Sequence, residues 1–166
     1  MTDQGTDDTR RVYHHEPPGY NCPFCRLARG EEDAINGVRF VVFADEATLA
    51  FVAPKWWARN PGHVLVVPRA HHENIYAIPD DALARVYATA KVVATAMREA
   101  YPCAGTSMRQ HNEPAGNQDV WHFHVHVFPR HEGDALYTGH NDTRWVAAAE
   151  RVACADKLRA YFAAHG

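Results

Sequence analysis

His122, His124 and His126 alternate with Phe123, Val125 and Val127 in a run that starts at Trp121 and ends at Phe128. In an extended strand alternate side chains share a face. The spacing therefore lines three imidazoles along one face, about 6–7 Å apart, and puts the apolar residues on the other. Imidazole serves as acid, base, nucleophile or metal ligand near neutral pH. Three in register can converge on one small anionic group, or give one or two nitrogens to a metal. A solvent-exposed histidine face is the bland alternative. A tri-histidine catalytic zinc site is the sharper one.

Cys22-Pro-Phe-Cys25 is a second place where chemistry is concentrated. A Cys-x-x-Cys knuckle supplies half of a tetrahedral metal set and needs two further ligands. The rival is a redox pair, but no β-α-β pattern of the thioredoxin kind surrounds it. Two unpartnered thiols remain the plain reading. Of the other cysteines, Cys103 and Cys154 fall in or beside helical stretches and read as packing residues.

These groups need elements to hold them. Val38–Phe43, Thr48–Ala53 and His63–Val67 are short, apolar and rich in β-branched residues, so each reads as a strand. Pro54–Gly62 between the last two reads as a loop. Asp80–Tyr101 carries Leu83, Val86, Tyr87, Ala90, Val93, Ala94, Met97 and Tyr101 at helical spacing, with Asp80 or Asp81 as cap and Pro102 as stop. Thr106–Gln110 is a further strand, Glu113–Gln118 a loop, and Val120–Phe128 the strongest strand of all. Asp142–Ala164 reads as a second helix, with Trp145, Ala148, Val152, Ala155, Leu158 and Phe162 on one stripe. Strands joined by short links imply an antiparallel sheet, covered on one face by two helices.

The whole chain fits one domain. It has 166 residues, 46% of them hydrophobic, enough for one sizeable core. Residues 1–20 read as a loose polar arm, and residues 21–166 as the domain proper. A formal charge of −3 argues against a general nucleic-acid binder or membrane-surface protein. No apolar run approaches a membrane span and no signal peptide opens the chain, so a reducing cytoplasmic setting is expected.

The run His122-Phe-His124-Val-His126-Val-Phe resembles the signature of the histidine-triad (HIT) family. Asn112–Trp121 is similar to the loop that leads into that signature. Asn60–His71 is similar to the family's Pro-Gly-His strand and its following Pro-x-x-His. The resemblance spans about Cys22 to Arg130. It implies an α+β domain of the HIT-like fold, about five antiparallel strands with two main helices, acting on nucleotides and forming a homodimer through the long helix and a neighbouring strand.

The resemblance also assigns roles. His124 is then the nucleophile that attacks an α-phosphorus and forms a nucleotidyl-histidine intermediate. His126 assists at the phosphoryl oxygens or the leaving group, and His63 supports the triad from the next strand. A plain core histidine is the alternative for His63. Asn112, Gly116, Gln118, Asp119 and Arg130 fall where the substrate is contacted, with loop shaping the alternative for Gly116 and a surface ion pair for Arg130. Cys22, Cys25, His71 and His122 match a structural Cys2His2 zinc set, with His72 standing beside His71. Two positions depart from the family pattern. Ala53 stands where an Asp commonly binds ribose, in front of a longer loop that carries Trp56 and Trp57. Asp119 stands where a hydroxyl residue commonly meets phosphate, with Arg109, Arg130 and His131 near enough in sequence to offset it. Two other functions compete: a zinc-dependent hydrolase using the histidine strand as ligands, and a nucleotide-binding regulatory protein with little turnover.

Overall fold

The structure, a computed structural model, describes residues 13–139 and 142–166. Of the arm expected over residues 1–20, residues 1–12 lie outside the described residues. Five strands form one antiparallel sheet: β1 (Val41–Ala44), β2 (Thr48–Val52), β4 (Val64–Pro68), β5 (Gly105–Gln110) and β6 (Val125–Arg130). Their spatial order is β1-β2-β4-β6-β5. Every residue of the central β2 and β4 is buried, which explains their almost wholly apolar sequences, the polar Thr48 being paired with the Thr89 hydroxyl. Asp45 makes the β1–β2 turn, its Oδ1 accepting from the backbone N–H groups of Ala47 and Thr48.

Helix α2 (Asp80–Ala100) packs across β4 and β6, and helix α3 (Ala148–His165) packs on α2, β1 and β2. The buried stripe of α2 includes Val86, Ala90, Val93 and Met97. Val86, Val93 and Met97 each contribute about 1.5–3 kcal/mol by leaving water. Arg151 of α3 is the exception to an apolar core. It is 2% exposed and donates to the Val52 and Ile35 carbonyls. Its guanidinium also lies over the Phe40 ring, 3.5 Å from the centroid. Among the described residues, no helix is long and apolar enough to cross a membrane.

Several boundaries differ from the sequence expectation, each for a physical reason. Val38–Phe40 is a 3-10 turn, so the first strand begins at Val41. Within Pro54–Gly62, expected as a loop, Lys55–Trp57 forms β3, which pairs with β7 (Thr143–Trp145). The same pairing takes the start of the expected helix Asp142–Ala164, and α3 begins only at Ala148. Trp145 is 66% exposed instead of lying on a core stripe. At the start of α2 the cap is Pro79, with no side-chain cap bond, while Asp80 and Asp81 lie in the first turn, where acidic groups favour the helix dipole. The expected strand Val120–Phe128 is regular only from Val125. Ahead of it the Phe123 N–H is drawn away to the His72 carbonyl at 2.6 Å.

A short helix α1 (Pro23–Ala28) lies on the face of the site. It starts at Cys22, whose Sγ accepts from the Cys25 N–H. Residues 13–20 run against the body: the Asn74 amide donates to the Tyr13 carbonyl, and the Trp121 N–H donates to the Tyr20 hydroxyl.

Candidate active site and metal centre

His124 and His126 sit where β6 begins, and His63 sits just ahead of β4, beside them. Gly62 fixes the approach of His63: its φ is +86°, and an added Cβ would fall 2.7 Å from the Tyr101 ring. All three imidazoles are buried. The His124 Nδ1–H donates to the His122 carbonyl at 2.7 Å, which leaves the lone pair on Nε2. The Phe24 ring of α1 meets His124 edge-on at 5.5 Å. His63 donates through Nδ1 to the Lys55 carbonyl at 3.3 Å, so its Nε2 is an acceptor for the His126 Nδ1–H at 2.8 Å. The rings of His63, His126 and Phe128 stack, with His63 4.4 Å from Phe128 and 5.0 Å from His126. This relay holds His126 so that its Nε2 is buried with no hydrogen-bond partner among the described residues.

Burial governs the charge of the cluster. It pushes His63 down to about 3 and His126 well below the usual histidine range, where the neighbouring His124 and His63 add to the effect. His124 is lowered by burial too, against the pull of the His122 carbonyl and the Asp119 charge. All three are neutral at pH 7, and a neutral imidazole is the nucleophilic form.

The ligand atoms of Cys22, Cys25, His71 and His122 lie within 4.8 Å of one another. His122 donates through Nε2 to the Pro68 carbonyl, which turns its Nδ1 lone pair toward Cys22 Sγ at 3.3 Å and Cys25 Sγ at 3.5 Å. His71 Nδ1 lies 3.3 Å from Cys25 Sγ, while its Nε2 donates to Glu16 Oε2 at 2.8 Å. Tetrahedral zinc with bonds of about 2.3 Å to sulfur and 2.0–2.1 Å to nitrogen separates sulfur from nitrogen by about 3.6 Å. The four residues therefore fit the ion. Carboxylate support behind a ligating histidine is the usual outer-shell arrangement. Burial, and then Cys22, push the Cys25 thiol up to about 12. That is opposite to the depressed value of a redox Cys-x-x-Cys, and it leaves a bound cation as the natural source of the thiolate. His71, not His72, belongs to this set.

The remaining expected residues have other engagements. Asn112 Oδ1 accepts from the Ile75 N–H, and its amide exchanges hydrogen bonds with Gln110. Gln118 is buried, donates to the Glu73 and Val120 carbonyls and accepts from the Glu113 N–H. The backbone N–H groups of Gly116, Asn117 and Gln118 donate to the Glu113 and Pro114 carbonyls. Asp119 is exposed beside His124 and makes no ion pair among the described residues. Arg130 is held by Asp134 at 2.7 Å and donates to Ser107 Oγ. Trp56 is a packing residue, its Nε1 donating to the Ala53 carbonyl. Trp57 stands edge-on to His63, His126 and Phe128.

Two residues beside the cluster stood out less in the sequence. The His111 ring is 5.1 Å from that of His126, and Arg109 stands opposite His126 in the β5–β6 ladder. Their signal was the alternation Ser107, Arg109, His111 along β5 and just past its end, which points polar side chains to one face.

The HIT domain model matches residues 37–133. The Bacillus subtilis protein named hit is 30% identical over 74% of this chain and 82% of its own length. An adenylylsulfatase of Arabidopsis thaliana is 25% identical over 70% of this chain and 56% of its own. The crystal structure of a zinc-bound histidine-triad protein from Mycobacterium smegmatis superposes with a TM-score of 0.71 at 27% identity, covering 87% of this chain and 95% of that one.

Proposed function

Because this chain belongs to the HIT domain family, we propose that it is a nucleotide hydrolase or nucleotidyl transferase in which His124 attacks the α-phosphorus of a nucleoside phosphate ester, anhydride or phosphoramidate. The observation that carries this is the His124 ring: buried, neutral, and fixed through Nδ1 on a backbone carbonyl so that Nε2 holds the lone pair. Covalent catalysis of this kind splits one hard displacement into two easier ones. His126, steered by His63, presents Nε2 to the phosphoryl group. Asn112, Gly116 and Gln118 shape the loop that borders the site, and their hydrogen bonds support a positioning role. Asp119 sets the local charge at His124, and Arg130 acts with Asp134 at the far end of β6.

Cys22, Cys25, His71 and His122 would hold a zinc ion, whose work is structural: it ties α1 to the start of β6. Four protein ligands close a tetrahedral set and leave no position for a metal-bound water. The geometry thus favours His124 over a zinc-dependent hydrolase. A Cys-x-x-Cys held as metal thiolates suits a reducing cytoplasmic setting. The homodimer expected of the family would use α2 and the outer edge of β5, and the mass in solution by light scattering checks it.

Intact-protein mass spectrometry after rapid mixing with an adenylylated or guanylylated substrate tests the reading. A transient nucleotidyl adduct is expected on the wild type and not on His124→Ala or His124→Gly. Turnover that survives in both variants would remove His124 as nucleophile. Nucleotide binding without any turnover would point instead to a regulatory protein.

A further inference from the structure

Arg109 faces the reaction centre from the neighbouring strand. It is directly opposite His126 in the β5–β6 ladder, and opposed residues of an antiparallel pair project to the same face. Its guanidinium carbon lies 5.3 Å from the centroid of the Phe128 ring, 5.7 Å from Trp57 and 4.5 Å from Tyr137. Phe128 and Trp57 are the rings that flank His126. Nη2 donates to the Leu136 carbonyl at 2.7 Å. Arg130, farther along, is neutralised by Asp134, but among the described residues no carboxylate lies within ion-pair distance of Arg109. The reaction centre is therefore bordered by a permanent cation with no carboxylate partner among the described residues.

We propose that Arg109 forms, beside His126, a subsite for an anionic leaving group, so that the substrates are anhydrides of a nucleoside monophosphate with a phosphate, polyphosphate or sulfate and not phosphoramidates. This rests on the nucleotidyl-transfer reading above. The chemistry of the substrate locates the extra charge. An α-phosphorus carries two nonbridging oxygens, the nucleoside and the leaving group. The nucleoside is uncharged, so an anion beyond the reacting phosphoryl group belongs to the leaving group.

The steps are consistent with that charge. The His124 Nε2 lone pair forms the N–P bond, and the P–O bond to the leaving group breaks with its electron pair on that oxygen. A phosphate or sulfate departs as an anion without taking a proton, and a fixed cation stabilises the charge as it develops. An amine would need a proton at that moment. His126, buried, neutral and next to a permanent cation, is a poor source of one. In the second step a water oxygen forms the new P–O bond, the N–P electron pair returns to His124, and the proton of the water leaves through His126 to solvent.

The test compares kcat/KM for adenosine 5′-phosphosulfate and adenosine 5′-phosphoramidate in the wild type, Arg109→Ala and Arg109→Gln. Glutamine keeps a donor for the Leu136 carbonyl, and matched melting temperatures show that the fold is intact. The wild type is expected to favour the anhydride. Both variants are expected to lose about 10- to 100-fold on the anhydride, the range of a charge-assisted hydrogen bond, and less than about 3-fold on the phosphoramidate. A wild type that favours the phosphoramidate, an equal loss on both substrates, or no loss on the anhydride overturns the proposal. If the wild type turns over neither, the nucleotidyl-transfer reading fails, and calorimetry with inorganic pyrophosphate judges the subsite alone. A Kd weakened about tenfold by Arg109→Gln supports the subsite. An unchanged Kd, or no binding to the wild type, overturns it.

Discussion

The two nitrogens of His126 have different fates. Nδ1–H is donated to His63, while Nε2 is buried without a partner among the described residues. Leaving a buried polar atom unsatisfied costs about 1–3 kcal/mol, and such a cost is retained most readily where a ligand removes it. A neutral Nε2 cannot donate to a phosphoryl oxygen. An anion arriving there pulls toward the imidazolium, but burial, His124, His63 and the fixed charge of Arg109 all depress the proton affinity of the ring. Binding of a nucleoside monophosphate at pH 7 is therefore expected to leave His126 neutral, with no proton taken up at that ring. Calorimetry in two buffers of different ionisation enthalpy measures this directly. Uptake of about one proton per site would show that His126 charges beside the anion and could protonate an amine leaving group.

The strands and turns deliver these rings, and some of that delivery is visible in the chain. Gly62 shows how tightly one position is set. A side chain there meets both a positive φ and the Tyr101 ring at 2.7 Å. Gly62→Ala is expected to destabilise the fold by about 2 kcal/mol or more and to lower turnover by shifting His63. Urea denaturation checks the first effect, and a change under about 0.5 kcal/mol would show that Tyr101 yields freely. The alternation of His122, His124 and His126, the Cys22–Cys25 spacing and the Pro-Gly-His turn were legible because each places its chemistry within a few residues. Strands β3 and β7 were not, because Lys55 finds its partner at Trp145, and nothing in a short window encodes so distant a pairing. The bend at 120–124 was hidden for the same reason: it follows from the His72 carbonyl and from the ligand set around His122. Arg109 and His111 reach the site through cross-strand register, and their place there depends on how β5 aligns with β6. The hydrogen bonds of Gln118 and Asn112 also depend on segments brought close only by folding.

Across the whole molecule the candidate metal centre ties together stretches far apart in sequence. It gathers α1, the stretch after β4 and the start of β6, and through Glu16 it also meets residues 13–20. One zinc per chain is expected by elemental analysis of the purified protein. Cys25→Ser is expected to lose the ion and to lower Tm by on the order of 10 °C, given that structural zinc contributes directly to folding free energy. A variant that loses zinc with Tm unchanged would show that the packing of Phe24 and Leu27 suffices to hold α1. His124 donates to a carbonyl of His122, itself a member of the metal set, so loss of the ion reaches the reactive ring through one residue of backbone.

That reach in sequence has a consequence for synthesis. A ribosome delivers Cys22 a full 100 residues before His122, and Cys25 46 residues before His71. Over most of the chain's emergence the two thiols therefore stand without their complete set. If the set holds zinc as proposed, capture of the ion would wait for His122, and until then the knuckle would stand open to oxidants and foreign soft metals.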